Sequence, residues 1–170
     1  MTHPLVIQLR FARSEFVRGL KDVTDEEARK RFMPMNCISW IIGHLAYQEN
    51  TYWMVRAQGE NAAPQLQPLV GWDQPASTPP LADMWEAWRT VTQTADPYLD
   101  TLTTETLQTF YTVNGKPHYE SVGSMLRRTT YHYWYHLGEG MAIRQMLGHT
   151  NLPEFVGDIH DEAPYIPENA

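Results

Sequence analysis

One cysteine, Cys37, stands in the 170 residues, so the chain cannot form an internal disulfide. That absence suits a reducing compartment, and a cytoplasmic location is the expectation. The first residues, Met1-Thr2-His3-Pro4, lack the basic segment and apolar run of a secretory signal. No apolar stretch reaches the roughly 20 residues of a membrane-spanning helix. Basic side chains are scarce, with 13 Lys and Arg against 20 Asp and Glu and a net charge of −7. The only basic runs, Arg29-Lys30-Arg31 and Arg127-Arg128, are short, which argues against a nucleic-acid partner, because phosphate contacts need clustered cations. There is no Gly-rich phosphate loop. There is also no Glu-x-x-His pair of the kind that builds a di-iron bundle.

Aromatic residues are plentiful, with 6 Trp and 9 Tyr, and such side chains serve pocket walls as well as cores. A chain of this length is expected to form one domain, residues 1–170, with a core of its own and a loosely packed tail from about Asn151.

Four segments carry helical periodicity. Leu5, Leu9, Ala12 and Phe16 form the stripe of a first helix from Pro4 to about Leu20. Thr24-Asp25-Glu26-Glu27 reads as a capping box opening a short helix to about Phe32. After Pro34, Asn36 is the expected N-cap of a second long helix running to about Gln58. Residues Gly59 to Pro79 form a proline-containing connector without periodicity, long enough to cross the bundle and join two helices of the same direction.

A third long helix is predicted from Thr78 as N-cap, with Asp96-Pro97 ending or kinking it. Asn114-Gly115 between Phe110 and Tyr119 predicts a small hairpin. The fourth long helix spans about Ser121 to Leu147 and stops at Gly148. The expected class is therefore all-α: a four-helix bundle with a long crossover between the second and third long helices.

Histidines carry the chemistry. The fourth helix's inward stripe reads Met125, Thr129, His132, His136, Gly140, Ile143, Leu147. Residues four apart share a helix face, so the imidazoles of His132 and His136 can address one point. A third ligand is available in the second helix, where His44 lies mid-helix beside small Gly43 and Ala46. Three His ligands leave coordination positions open, as in a catalytic rather than a closed structural site. Gln48, Glu49 and Glu139 lie one turn from these histidines. They are candidates to accept a ring N–H or to act as a base, Glu139 first. For Glu49 a solvated helix position is the simpler expectation. Trp40, Gln48 and Trp134 are candidate walls of a substrate pocket. Cys37 sits near a helix N-terminus but has no histidine base in the sequence, and a buried, inert thiol is the expectation.

Two segments carry a resemblance to a known family. Asn36-Cys37-Ile38-Ser39-Trp40-Ile41-Ile42-Gly43-His44-Leu45-Ala46 and His132-Tyr133-Trp134-Tyr135-His136-Leu137-Gly138-Glu139, with Asn114-Gly115-Lys116-Pro117 between them, resemble the signatures of the DinB-like superfamily. The resemblance covers about Leu5 to Gly148. It implies a metal-binding four-helix bundle in which His44, His132 and His136 hold one divalent ion, commonly zinc, nickel or iron. Related members include bacillithiol S-transferases, mycothiol-dependent maleylpyruvate isomerase and a domain of ergothioneine-forming enzymes. The implied partners are thus a low-molecular-weight thiol as co-substrate and a small electrophile, and a homodimer is the implied assembly. Where relatives often carry Gln three residues after the last histidine, this chain has Glu139. The functions in view are a thiol S-transferase, a metal-dependent hydrolase, and a non-catalytic metal- or ligand-binding stress protein.

Overall fold

Apolar residues recurring every three or four positions give four long helices in the computed structural model, which describes residues 2–167. They are α1 (Pro4–Gly19), α3 (Ile38–Glu49, continued by a π-helical segment, Asn50–Arg56), α5 (Leu81–Leu99) and α7 (Val122–Met146). Short helices lie between and after them: α2 (Asp25–Arg29), α4 (Leu66–Val70), α6 (Thr104–Leu107) and α8 (Ile159–Glu162). A two-stranded hairpin, β1 (Thr112–Val113) and β2 (Lys116–Pro117), completes the described elements. No helix among the described residues is long and apolar enough to cross a membrane.

The helix directions follow from side-chain pairs. Phe11 meets Trp134, Phe16 meets Tyr133, and Gly140 faces Leu20, so α1 and α7 run parallel. Arg10 bonds Asp100 while Phe16 packs on Trp85, so α5 opposes α1. His132 of α7 meets Gln48 while Arg56 reaches back to Met125, so α3 opposes α7. The two middle helices, α3 and α5, therefore run in the same direction. The crossover expected of the Gly59–Pro79 connector is present.

Helix ends show how local chemistry sets the frame. Thr24 and Glu27 form the capping box of α2. Ser121 caps α7 by accepting from the Ser124 amide. At its other end Gly148 takes φ 90°, and the His149 and Gly148 amides donate to the carbonyls of Arg144 and Gln145. This double bond pattern closes a helix at a left-handed glycine. Asn114 and Gly115 both have positive φ, as a tight two-residue hairpin turn requires.

Four boundaries differ from the sequence reading. Cys37, not Asn36, is the N-cap of α3, and no side chain caps it. The second long helix is not a continuous α-helix to Gln58; it widens to π geometry from Asn50. The third starts at Leu81 rather than after Thr78, because Asp25 Oδ1 of α2 accepts the Leu81 amide at 2.8 Å and supplies the cap from outside. Pro97 neither ends α5 nor stops its last turn: the helix runs on to Leu99. The carbonyl that Pro97 cannot serve belongs to exposed Gln93, on a face open to solvent.

The core between the helices is aliphatic and aromatic, with Leu9, Phe16, Ile38, Ile41, Ile42, Leu45, Trp53 and Tyr133 all at most 1% exposed. Gly43 lets α3 approach closely, since a Cβ there would meet Met84 Sδ of α5 and lie 3.2 Å from Val70 Cγ1 of α4. Cys37 is fully buried, its sulfur 3.3 Å from Ser39 Oγ, in keeping with an inert thiol. Residues of the tail lie along α1: Gln8 Nε2 donates to the Ala163 carbonyl, and the Gly157 amide donates to Glu15.

Candidate metal centre

His44 comes from the middle of α3, and His132 and His136 from consecutive turns of α7. Because α3 and α7 are antiparallel neighbours, the three rings meet. One ring nitrogen from each lies within 4.8 Å of the other two. His136 is buried and the other two are partly buried.

The hydrogen bonds identify those nitrogens. His44 Nδ1 lies 2.9 Å from the Val70 carbonyl, which can only accept, so Nδ1 carries the proton. His136 Nδ1 lies 2.6 Å from Glu139 Oε2, and His132 Nδ1 lies 2.8 Å from Gln48 Oε1. Each ring thus has an oxygen placed to accept its Nδ1–H, which turns its Nε2 toward the other two rings. The Nε2 atoms of His132 and His136 are only 2.8 Å apart. Two neutral rings with their protons outward put two lone pairs face to face, which is repulsive unless a cation lies between them. Around a tetrahedral zinc, with Zn–N about 2.0–2.1 Å, nitrogens sit roughly 3.3 Å apart. The 2.8 Å pair is tighter than that value and all three nitrogens lie within 4.8 Å of one another, so the donor set is of the kind and size that a divalent ion takes.

Electrostatics favour the neutral form of His44 and His132. Burial, then the neighbouring His136 and His44, push the His132 pKa down to about 3. Burial also lowers that of His44, against the opposing pull of the Val70 carbonyl. Glu139 is held below the ordinary carboxylate range by its bond to His136. Neutral imidazoles are the form that binds a metal.

Residues around the three histidines fix ring orientation. Trp40 stacks on His44, with centroids 4.4 Å apart and planes 14° from parallel. It is buried beneath the ring and does not line the cavity, so it acts on His44 rather than as the pocket wall expected from sequence. Gln48 has both roles, since it holds His132 and faces the cavity. Trp134 is elsewhere. It packs between Phe11 and Phe155, on the α1 side of α7. Two residues from each histidine is about 200° around a helix, which turns Trp134 away from the site and removes it from the pocket. Glu139 reaches His136, so its charge stands one ring away from the candidate ion. Glu49, expected in solvent, is wholly buried against Arg13 and Tyr133.

Removing the oxygen from either partner tests this arrangement. Gln48→Ala and Glu139→Ala are each expected to weaken metal binding about 10–100-fold without unfolding the chain. Competition against a chromophoric chelator measures this. Affinities equal to wild type would show that the ring-holding bonds are incidental.

The sequence reading missed the connector's part. The buried end of α4, Val70, orients His44, and nothing in a stretch without periodicity marks it for that task. It also missed the cavity of about 930 Å³ that opens beside His44 and His132. Tyr52 and Arg56 of the π-helical segment line it, as do Trp72 and, from the α7 side, Tyr119, Glu120, Arg127, Arg128, Tyr131 and Tyr135.

A four-helix bundle with parallel middle helices, carrying three converging imidazoles beside an open cavity, defines a helical-bundle protein with a candidate mononuclear metal centre. The chain belongs to the DinB superfamily, whose family model matches residues 8–139, a span holding all three histidines. No curated protein matches the chain.

Proposed function

We propose that the chain is a metal-dependent enzyme that transfers a low-molecular-weight thiol to a small electrophile. The observation that carries the reading is the convergence of one ring nitrogen from each of three histidines beside a solvent-open cavity. A divalent ion held by His44, His132 and His136 would bind a thiol sulfur and favour its thiolate at neutral pH. In the transfer, sulfur forms a bond to the electrophilic carbon. The leaving group departs with its electron pair, and the thiol proton passes to solvent.

The protein's part is positional. Val70, Gln48 and Glu139 hold the three rings by their Nδ1–H groups, so no ring reorients as the reaction proceeds. The cavity walls hold the electrophile near the sulfur and raise its effective concentration. A hydrolase reading needs a free base, and Glu139, its candidate, is already bound to His136 with its proton affinity lowered.

The test is consumption of a chlorodinitrobenzene probe by zinc-, nickel- or iron-loaded protein, across a panel of cellular thiols. At least one thiol should be consumed in step with the probe, and the rate should fall to background in His132→Ala. No thiol-dependent turnover with any loaded metal would overturn the transferase reading.

A further inference from the structure

The cavity beside the histidines has the wrong charge for its protein. The chain carries a net −7, yet the cavity lining sets Arg56, Arg127 and Arg128 against a single carboxylate, Glu120. That carboxylate is already taken, because Arg128 Nε lies 3.0 and 3.1 Å from its two oxygens.

The other two guanidinium groups have no carboxylate partner among the described residues. Arg56 lies over the Tyr52 ring, 4.8 Å from its centroid, and donates only to Met125 Sδ at 3.7 Å. Arg127 lies over Tyr131 and donates to its hydroxyl at 3.3 Å. A guanidinium offers five N–H donors in a fork matched to an oxyanion, and most of these are unspent. Tyrosine faces hold the two groups in place without neutralising them.

The mouth is aromatic as well as basic. Trp72, Tyr119, Tyr131 and Tyr135 line it and are 75%, 81%, 59% and 64% exposed. Large aromatic side chains left bare around one concavity offer a surface to the body of a flat organic ligand. The π-helical segment helps to aim this wall. Four-residue steps along an α-helix drift by about 40°, and the wider π turn offsets the drift from Gln48 to Tyr52 to Arg56. At about 1.5 Å per residue, Arg127 lies roughly 7–8 Å along α7 from His132.

We propose that this cavity binds a flat organic oxyanion, its carboxylate or phosphate held by Arg56 and Arg127 and its far end directed at the three histidines. The substrate of the transfer reaction is then an anionic aryl or alkenyl compound. That last step rests on reading the histidine cluster as the reacting end, whereas the anion site itself does not.

Calorimetric titration with naphthoate, naphthyl phosphate and neutral naphthamide tests the site, in metal-loaded and in chelator-treated protein. At least one anion should bind roughly tenfold or more tighter than the amide, and the tighter anion names the oxyanion. Arg56→Gln/Arg127→Gln should abolish the preference. Arg127→Gln alone, at an exposed position, should reduce it with the fold intact by circular dichroism. Equal binding of anions and amide, or a preference that survives the double substitution, would overturn the proposal. So would a preference that vanishes on chelation or in His132→Ala, because the anion would then sit on the metal. An arginine-dependent preference in protein that never takes up metal would uphold the anion site while removing the metal reading.

Discussion

Arg13→Ala is expected to destabilise the protein by about 3–5 kcal/mol, lowering the melting midpoint by roughly 6–20 °C. Glu49 is completely buried and Arg13 is 5% exposed. Arg13 Nε donates to Glu49 Oε1 at 2.9 Å, its Nη2 reaches Oε2, and its Nη1 donates to Asp96 at 2.7 Å. The Tyr133 hydroxyl donates to Glu49 Oε1 at 2.6 Å and accepts from Trp88 Nε1 at 2.7 Å. Burial opposes the charge on Arg13, but the Glu49 carboxylate outweighs it and raises the Arg13 pKa. The network ties α1, α3, α5 and α7 at one level of the bundle. Truncating Arg13 leaves a carboxylate in the core with no cation, and that loss dominates the cost. Arg13→Met/Glu49→Leu, which removes both charges and keeps the volume, is expected to recover most of the stability. Thermal melts by circular dichroism decide it. A single variant melting within a degree or two of wild type would show that water reaches Glu49 and the pair is not isolated.

Metal should have an effect of similar size. An ion present at a thousand times its dissociation constant stabilises the folded state by about 4 kcal/mol, or roughly 8–16 °C in a bundle of this size. Chelation should reverse this, and His132→Ala/His136→Ala should not respond to metal at all. The pH dependence has a definite sign. The His132 pKa is about 3 in the folded protein, against an ordinary value of 6.5. Between these values the unfolded chain binds a proton that the folded chain refuses, so stability falls as pH drops from about 6.5 toward 3. The lowered pKa of His44 adds in the same direction. Melts of metal-free protein across this range, beside a His132→Ala variant in which the slope is reduced, check the sign. A wild-type protein that gains stability on acidification would contradict the neutral-ring geometry.

The histidine cluster was legible because its cause is local. His132 and His136 lie four apart on an apolar stripe, and His44 sits mid-stripe in a helix flanked by small residues. Periodicity fixes which face such residues share. Periodicity also placed the four long helices, while short residue signals marked the capping box at Thr24 and Glu27 and the Asn114-Gly115 turn. What it could not give depends on partners distant in sequence. Asp25 caps Leu81 from 56 residues away, which moves the start of α5. Arg13 neutralises Glu49 from 36 residues away, which turns an expected surface acid into a core one. The π-helical segment has no turn residue to announce it. Its buried Asn50 bonds Asn61 at 2.8 Å and the Ala62 amide at 3.0 Å, anchoring the start of the connector against the segment. Trp134 was misplaced for a simpler reason: adjacency in sequence to two site histidines puts a helical residue on the far face.

The most direct test of the account is elemental analysis of the wild-type protein, purified without a histidine tag, beside His132→Ala/His136→Ala. Close to one equivalent of a divalent transition metal per chain is expected in the wild type and none in a still-folded variant. An empty wild-type protein that also takes up no added zinc, nickel or iron would contradict it.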